Sequence, residues 1–216
     1  MLRYLKQLKI FFLVLTLVSI VIIYFIYSAL DVEKPLPIYQ PNRIDASLVD
    51  STIQHKRKYH TIADFKLINQ NGDTITQDNY KDKIYVADFF FTTCQTICPI
   101  MTDQMHRIQE NIINDDEVML LSHSVTPEID SVAQLKRYAI EKGVNDSKWN
   151  LVTGDRKQIY DLARKSYLVV KNDDSEDYGM VHTENFVLID KEKQIEVFTM
   201  ALALHLLILC YKILND

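Results

Sequence analysis

The sequence predicts an α/β layer fold behind an N-terminal apolar segment. Three observations carry that prediction. KIYVADFFF (83–91) is a near-continuous run of β formers, the character of a central strand buried on both faces. Strand-like and helix-like stretches alternate after it. The last of them, TENFVLIDKEKQIEVF, reads as a hairpin turning at Lys191–Lys193. Strand, helix, strand, helix and a closing hairpin is the α/β layer pattern.

The N-terminal segment comes first in the chain. Residues 10–30, IFFLVLTLVSIVIIYFIYSAL, carry no charge, which suits a hydrocarbon core of roughly 30 Å. Arg3, Lys6 and Lys9 precede the run, and Asp31 and Glu33 follow it. By the positive-inside rule residues 1–9 stay in the cytoplasm and the rest of the chain is exported. The run is long for a cleaved signal, and neither an A-x-A-like site nor a lipoprotein cysteine ends it. It reads as a single-pass transmembrane signal anchor in the cell (inner) membrane, with an extracytoplasmic, periplasmic domain. A cleaved signal would give the same compartment.

Residues 31–60 are polar, proline-bearing and aperiodic, as a linker is. IADFKLINQNGDTIT suggests a hairpin around an Asn-Gly-Asp turn. PIMTDQMHRIQENIIN (99–114) has apolar residues at helical spacing, with Pro99 where a first-turn proline is tolerated. EVMLLSHSV (117–125) is a strand, and SVAQLKRYAIEKG (131–143) a helix stopped by Gly143. WNLVTGD is a short strand and turn, and RKQIYDLARKSYL (156–168) a third helix. Residues 61–196 form the expected domain.

Apolar residues make up 48% of the 216 and charged residues 25%, enough to bury a sizeable core. The net charge of −5 and the lack of a basic block argue against a nucleic-acid partner.

The chemistry concentrates in FFFTTCQTICPIMT (89–102). Cys94 and Cys98 fall between the exit of a central strand and the start of a helix, where sites form in open α/β sheets. A disulfide over so short a span constrains little of the unfolded chain. A helix N-terminus favours thiolate over thiol, raising reactivity and metal affinity. Two thiolates suit Cu(I) or zinc, with an imidazole as third ligand. Among the six histidines, His55 and His60 read as solvated linker residues. His106 lies too far along its helix, and His205 sits in a late apolar run. His123, at a neighbouring strand end, and His182, in a loop before a strand, remain equal candidates.

DFFFTTCQTICPIMT, SHSVTPEIDSV (122–132), WNLVTGD (149–155) and VHTENFVLID (181–190), in that order, resemble the Sco/SenC family over roughly residues 60–195. The resemblance implies a membrane-anchored, thioredoxin-like copper protein that helps assemble the copper centre of cytochrome c oxidase. It implies a copper ion held by Cys94, Cys98 and His182, which sets His182 above His123. The implied partner is the copper-bearing oxidase subunit or another copper or thiol client. Family proteins often have Asp before the ligand histidine; here Val181 stands there. Asp88 occupies a commonly acidic position, for which a cap or turn bond and redox tuning are both open.

The alternative function is a thiol–disulfide oxidoreductase, with Cys94 and Cys98 as catalytic residues and no need of His182. A peroxiredoxin relative and a redox or copper sensor are further readings of the same pair. One departure stands out. Where the family usually has a glycine-bearing turn and an amphipathic closing helix, residues 197–216 begin VFTMALALHLLILCY, uncharged to residue 211. That segment reads either as a buried or interfacial helix or as the product of a frame shift near residue 198. Cys210, within it, is expected to be no ligand.

Overall fold

A computed structural model of the chain describes residues 2–30, 38, 39, 41, 60–169 and 183–200. It divides into two compact units, 1–35 and 36–216.

The first unit holds helix α1 (Leu2–Leu30), 29 residues long. Its side chains are described at Lys9 and over 11–24, and the apolar ones there, Phe11 to Tyr24, face outward. Among the described residues, no helix is long and apolar enough to cross a membrane.

The second unit is built on a seven-stranded sheet: β1 (Lys66–Asn69), β2 (Thr74–Thr76), β3 (Ile84–Phe90), β4 (Val118–Ser124), β5 (Trp149–Thr153), β6 (Asn185–Ile189) and β7 (Ile195–Met200). The strand order is β2-β1-β5-β4-β3-β6-β7. Strands β3, β4 and β5 run parallel, while the β1–β2 and β6–β7 hairpins join antiparallel on either side. The helices are α2 (Ile97–Asn111), α3 (Val132–Glu141) and α4 (Arg156–Asp161). This is the expected α/β arrangement.

Every residue of β3 is buried, and alternation sends its side chains to two different cores. Ile84, Val86 and Phe90 pack with Met101, Met105 and Ile108 of α2 and Leu135 and Tyr138 of α3. Tyr85, Ala87 and Phe89 pack with Ile159, Leu162 and Tyr167 on the other side. The sheet therefore lies between two helical layers.

Local chemistry sets the ends of these elements. Gly72 takes φ +84° in the first hairpin turn, where Asn69 Oδ1 accepts the Asn71 and Asp73 N–H groups. Ser131 caps α3 by accepting the Gln134 N–H at 3.3 Å. Gly143, at φ +68°, ends that helix while Val144 N–H donates to the Ala139 carbonyl. Lys193, at φ +63°, turns the β6–β7 hairpin within the expected Lys191–Lys193 segment.

Three expectations need correction. The third helix is α-helical only to Asp161; Leu162–Ser166 is a π-helical turn. The Ser166 carbonyl lies 2.7 Å from His60 Nε2, which donates to it, and Ser166 Oγ accepts the Ala63 N–H. His60 is therefore buried and not a solvated linker residue. Finally, the closing hairpin runs on to Met200, so residues 197–200 do not begin a helix. They belong to β7, with Phe198 opposite Val187 and Met200 opposite Asn185. Residues 201–216, including Cys210 and His205, lie outside the described residues.

Tyr39, in the expected linker, bridges to Ile195, its N–H donating to the Ile195 carbonyl at 2.8 Å.

The packing of α2 gives a direct test. Met105 is fully buried, whereas Ile100 on the same helix is 43% exposed. Met105→Ala should cost about 2–5 kcal/mol in denaturant unfolding, and Ile100→Ala no more than about 0.5 kcal/mol. Equal losses would contradict this orientation of α2.

Candidate metal centre

The chain leaves β3 at Phe90, whose carbonyl accepts the Val125 N–H at 2.9 Å. It then turns tightly, with Cys94 N–H donating to the Phe91 carbonyl at 3.3 Å. Helix α2 begins at Ile97 after Thr96, which makes no side-chain capping bond. The Cys94 sulfur fills that role: it accepts the Cys98 N–H at 3.4 Å, satisfying one of the free donors of the first turn. Thr96 Oγ1 lies 3.7 Å from the same sulfur.

The two thiols are hydrogen-bonding partners in different surroundings. Cys94 is half-buried and Cys98 buried. Burial alone would raise the Cys94 pKa, but donors on Cys98 and Thr96 outweigh it and bring it down to about 7. Burial pushes the Cys98 thiol up to about 12; the Cys94 sulfur and the Asp88 carboxyl add to that rise, against a Phe91 backbone bond. Cys98 is held by its backbone as well. Thr102 Oγ1 donates to the Cys98 carbonyl at 2.9 Å and so receives the Tyr138 hydroxyl proton at 2.7 Å.

Asp88 lies in the middle of β3, on the same face as α2, neither a cap nor a turn residue. Burial raises its carboxyl to about 7, only partly offset by a hydrogen bond from Ser122. Ser122 Oγ in turn accepts the Trp149 Nε1–H at 2.8 Å. Asp88 Oδ1 has no hydrogen-bond partner among the described residues.

His123 does not reach the thiols. It pairs with Phe89 across β3 and β4 and so points to the opposite face from Asp88 and Ser122. It is fully buried there, stacked on Phe89 at 4.7 Å and edge-on to Phe65 and Tyr167. Burial lowers its pKa to about 3, so the ring is neutral in the folded protein near neutral pH.

A cavity of about 620 Å³ opens beside Cys98, lined by Phe91, Thr96, Ile97 and Ile100 on one side and by Thr183 and Glu184 on the other. His182 itself lies outside the described residues. Among the described residues no cluster of three His, Cys, Asp or Glu side chains could hold a metal ion. The structure thus brings Cys94 and Cys98 together. It also adds the Thr96 hydroxyl and the Thr102–Tyr138 pair. Sequence spacing gave no sign of that pair, because Tyr138 arrives from α3.

The SCO1/SenC family model matches residues 53–202. A Bacillus subtilis (strain 168) protein named SCO1 protein homolog is 32% identical over 139 residues, 63% of this chain and 72% of that one. Among solved structures, BsSco is described as a member of the Sco family of cytochrome c oxidase assembly proteins with a disulfide switch. It aligns with a TM-score of 0.62 at 28% identity, covering 73% of this chain and 94% of that one. Arabidopsis thaliana ScoI, solved with copper bound, aligns with a TM-score of 0.56 at 28% identity, covering 71% and 98%.

The unequal thiols predict unequal alkylation. Iodoacetamide labelling of Cys94, followed by peptide mass spectrometry, should rise with a midpoint near pH 7. Cys98 should stay unlabelled through that range, being buried and protonated. Labelling of Cys98 ahead of Cys94 would contradict the assignment.

Proposed function

The chain belongs to the SCO1/SenC family, and from that membership we propose that it is a copper carrier serving cytochrome c oxidase assembly. The observation that carries the reading is the convergence on one cavity of the Cys98 side of the dithiol and of Thr183, the residue that follows His182. His182 enters the proposal as the sequence neighbour of Thr183 and as the histidine that the family resemblance implies. Cys94, Cys98 and His182 are the proposed ligands. Copper binding by Arabidopsis ScoI supports the choice of ion.

The donor set fits a soft ion. Both thiols must lose their protons to ligate, and the hydrogen bonds on Cys94 make its proton the easier one to displace. The half-buried position of Cys94 leaves one side of the pair accessible to a partner's ligands. Copper is then cargo, passed by ligand exchange to the copper-bearing oxidase subunit, with no turnover chemistry on the protein. Helix α1 is the proposed membrane anchor. Supporting that reading, the run 10–30 carries no charge over a length that suits a hydrocarbon core of roughly 30 Å. The charges flanking its apolar segment favour an extracytoplasmic domain.

The contrast between the thiols favours a second activity, client disulfide reduction. Cys94 thiolate would attack a client disulfide, forming a mixed disulfide and releasing one client thiolate. Cys98, once deprotonated, would attack the Cys94 sulfur and release the second client thiol. The protein would end as the Cys94–Cys98 disulfide, with two electrons passed to the client.

Reduced full-length protein in detergent should bind one copper per chain, more weakly as pH falls. Cys94→Ala and Cys98→Ala should abolish tight binding. His182→Ala should weaken it strongly while leaving thiol–disulfide exchange intact. Undiminished copper in either cysteine variant, read by metal analysis, would overturn the carrier assignment.

A further inference from the structure

Cys94 sits on the loop before α2, and two residues earlier Thr92 is bonded to a buried carboxyl group distant in sequence, that of Asp130. Asp130 is wholly buried at the end of the turn that follows β4, where its own N–H donates to the Thr126 carbonyl at 2.8 Å. Its Oδ1 accepts the Thr92 hydroxyl at 2.5 Å. Its Oδ2 accepts Thr92 N–H at 3.2 Å, Ser124 Oγ–H at 2.6 Å and Thr126 Oγ1–H at 3.1 Å. Thr92 Oγ1, having donated its proton, receives the Gln134 amide at 3.1 Å. All four contacts on the carboxyl group come from donors, the condition under which a buried polar group is tolerated.

This carboxylate is not needed to start α3, because Ser131 caps that helix. Two of its four bonds go instead to Thr92, two residues before Cys94. Between Thr92, held by Asp130, and Cys94 N–H, held by Phe91, the loop has little freedom. The result is a Cys94 sulfur placed to accept the Cys98 N–H.

We propose that Asp130 is a positioning residue for the dithiol, acting through Thr92 to hold the Cys94 sulfur at the start of α2. This rests on the reading of Cys94 and Cys98 as the functional pair. The geometry so held is that of the free thiols, with the Cys94 sulfur on the Cys98 N–H; forming the S–S bond of about 2.05 Å has to move Cys94 from it, so the hold on Thr92 stabilises the dithiol over the Cys94–Cys98 disulfide.

The test is the equilibrium of the full-length protein with glutathione. Two reduced glutathione molecules and the protein disulfide interconvert with oxidised glutathione and the dithiol. The two forms are trapped by alkylation and counted by peptide mass spectrometry, which keeps Cys210 separate. Asp130→Asn puts an amide donor among the four donors, and Thr92→Val removes the hydroxyl with little change of shape. Each should shift the equilibrium toward disulfide about tenfold, about 30 mV. Thr92→Ser should restore the wild-type value. Ser124→Ala removes a bond to the same carboxylate from the strand side, and should lower Tm without moving the equilibrium. If Asp130→Asn does not fold, Thr92→Val and Thr92→Ser decide. Variants at 92 and 130 that match Ser124→Ala in the redox equilibrium would overturn the proposal while leaving the pair's function intact. A wild-type protein that forms no Cys94–Cys98 disulfide would overturn the pair's redox reading and the proposal with it.

Discussion

The burial of strand β3 on both faces is the constraint on which the rest of the domain depends. A strand with no solvent-facing position needs a helical layer on each side and a partner strand on each edge. β4 supplies one edge in parallel and β6 the other antiparallel. A parallel neighbour requires a crossover, and α2 is that crossover. The end of β3 and the start of α2 are therefore adjacent in sequence and close in space. Cys94 and Cys98 occupy that junction, so their placement follows from how the core is filled.

The junction treats the two sulfurs unequally. Cys98 belongs to the helix and is packed into the same core as Met101 and Phe90. Cys94 precedes the helix, is half-exposed, and takes the place of a capping oxygen. One sulfur is thus anchored and the other presented. That asymmetry serves both proposed activities, since a carrier needs an accessible ligand to exchange and a reductase needs an accessible attacking thiol. The two proposed activities part at His182, a proposed copper ligand that thiol exchange would not need.

Much of this was legible in the sequence. Strand β3 announces itself by its unbroken apolar run, and Gly143 and the Lys191–Lys193 turn mark their elements' ends. The cysteine pair falls where the strand-to-helix junction was expected. What stayed hidden depends on contacts between distant residues. His60 looked like a linker residue because its acceptor, the Ser166 carbonyl, lies 106 positions away. The π-helical turn that carries Ser166 was unreadable for the same reason. His123 stayed level with His182 on residue chemistry alone, because the sequence does not say which face of its strand the thiols are on. Its neighbours Ser122 and Ser124 sit on either side of it in one strand, so alternation alone sends its ring to the opposite face from theirs. The closing hairpin was legible as far as Phe198, but its continuation to Met200 was obscured by the apolar segment that follows, which carries no clear period.

Thr92 and Asp130 illustrate the same limit at the site itself. Neither stands out by spacing, yet they meet where the loops after β3 and β4 run side by side, Val125 N–H bonding the Phe90 carbonyl. The parallel β3–β4 pairing brings the two loops to one end of the sheet and makes that meeting possible. The central claim, that a dithiol at this junction and the histidine before Thr183 hold one copper ion, is tested most directly by X-ray absorption at the copper K edge. The reduced, copper-loaded full-length protein should show two sulfur scatterers and one imidazole, and the imidazole signature should vanish in His182→Ala. A first shell of sulfur alone, or an imidazole signature that survives that substitution, would contradict the account.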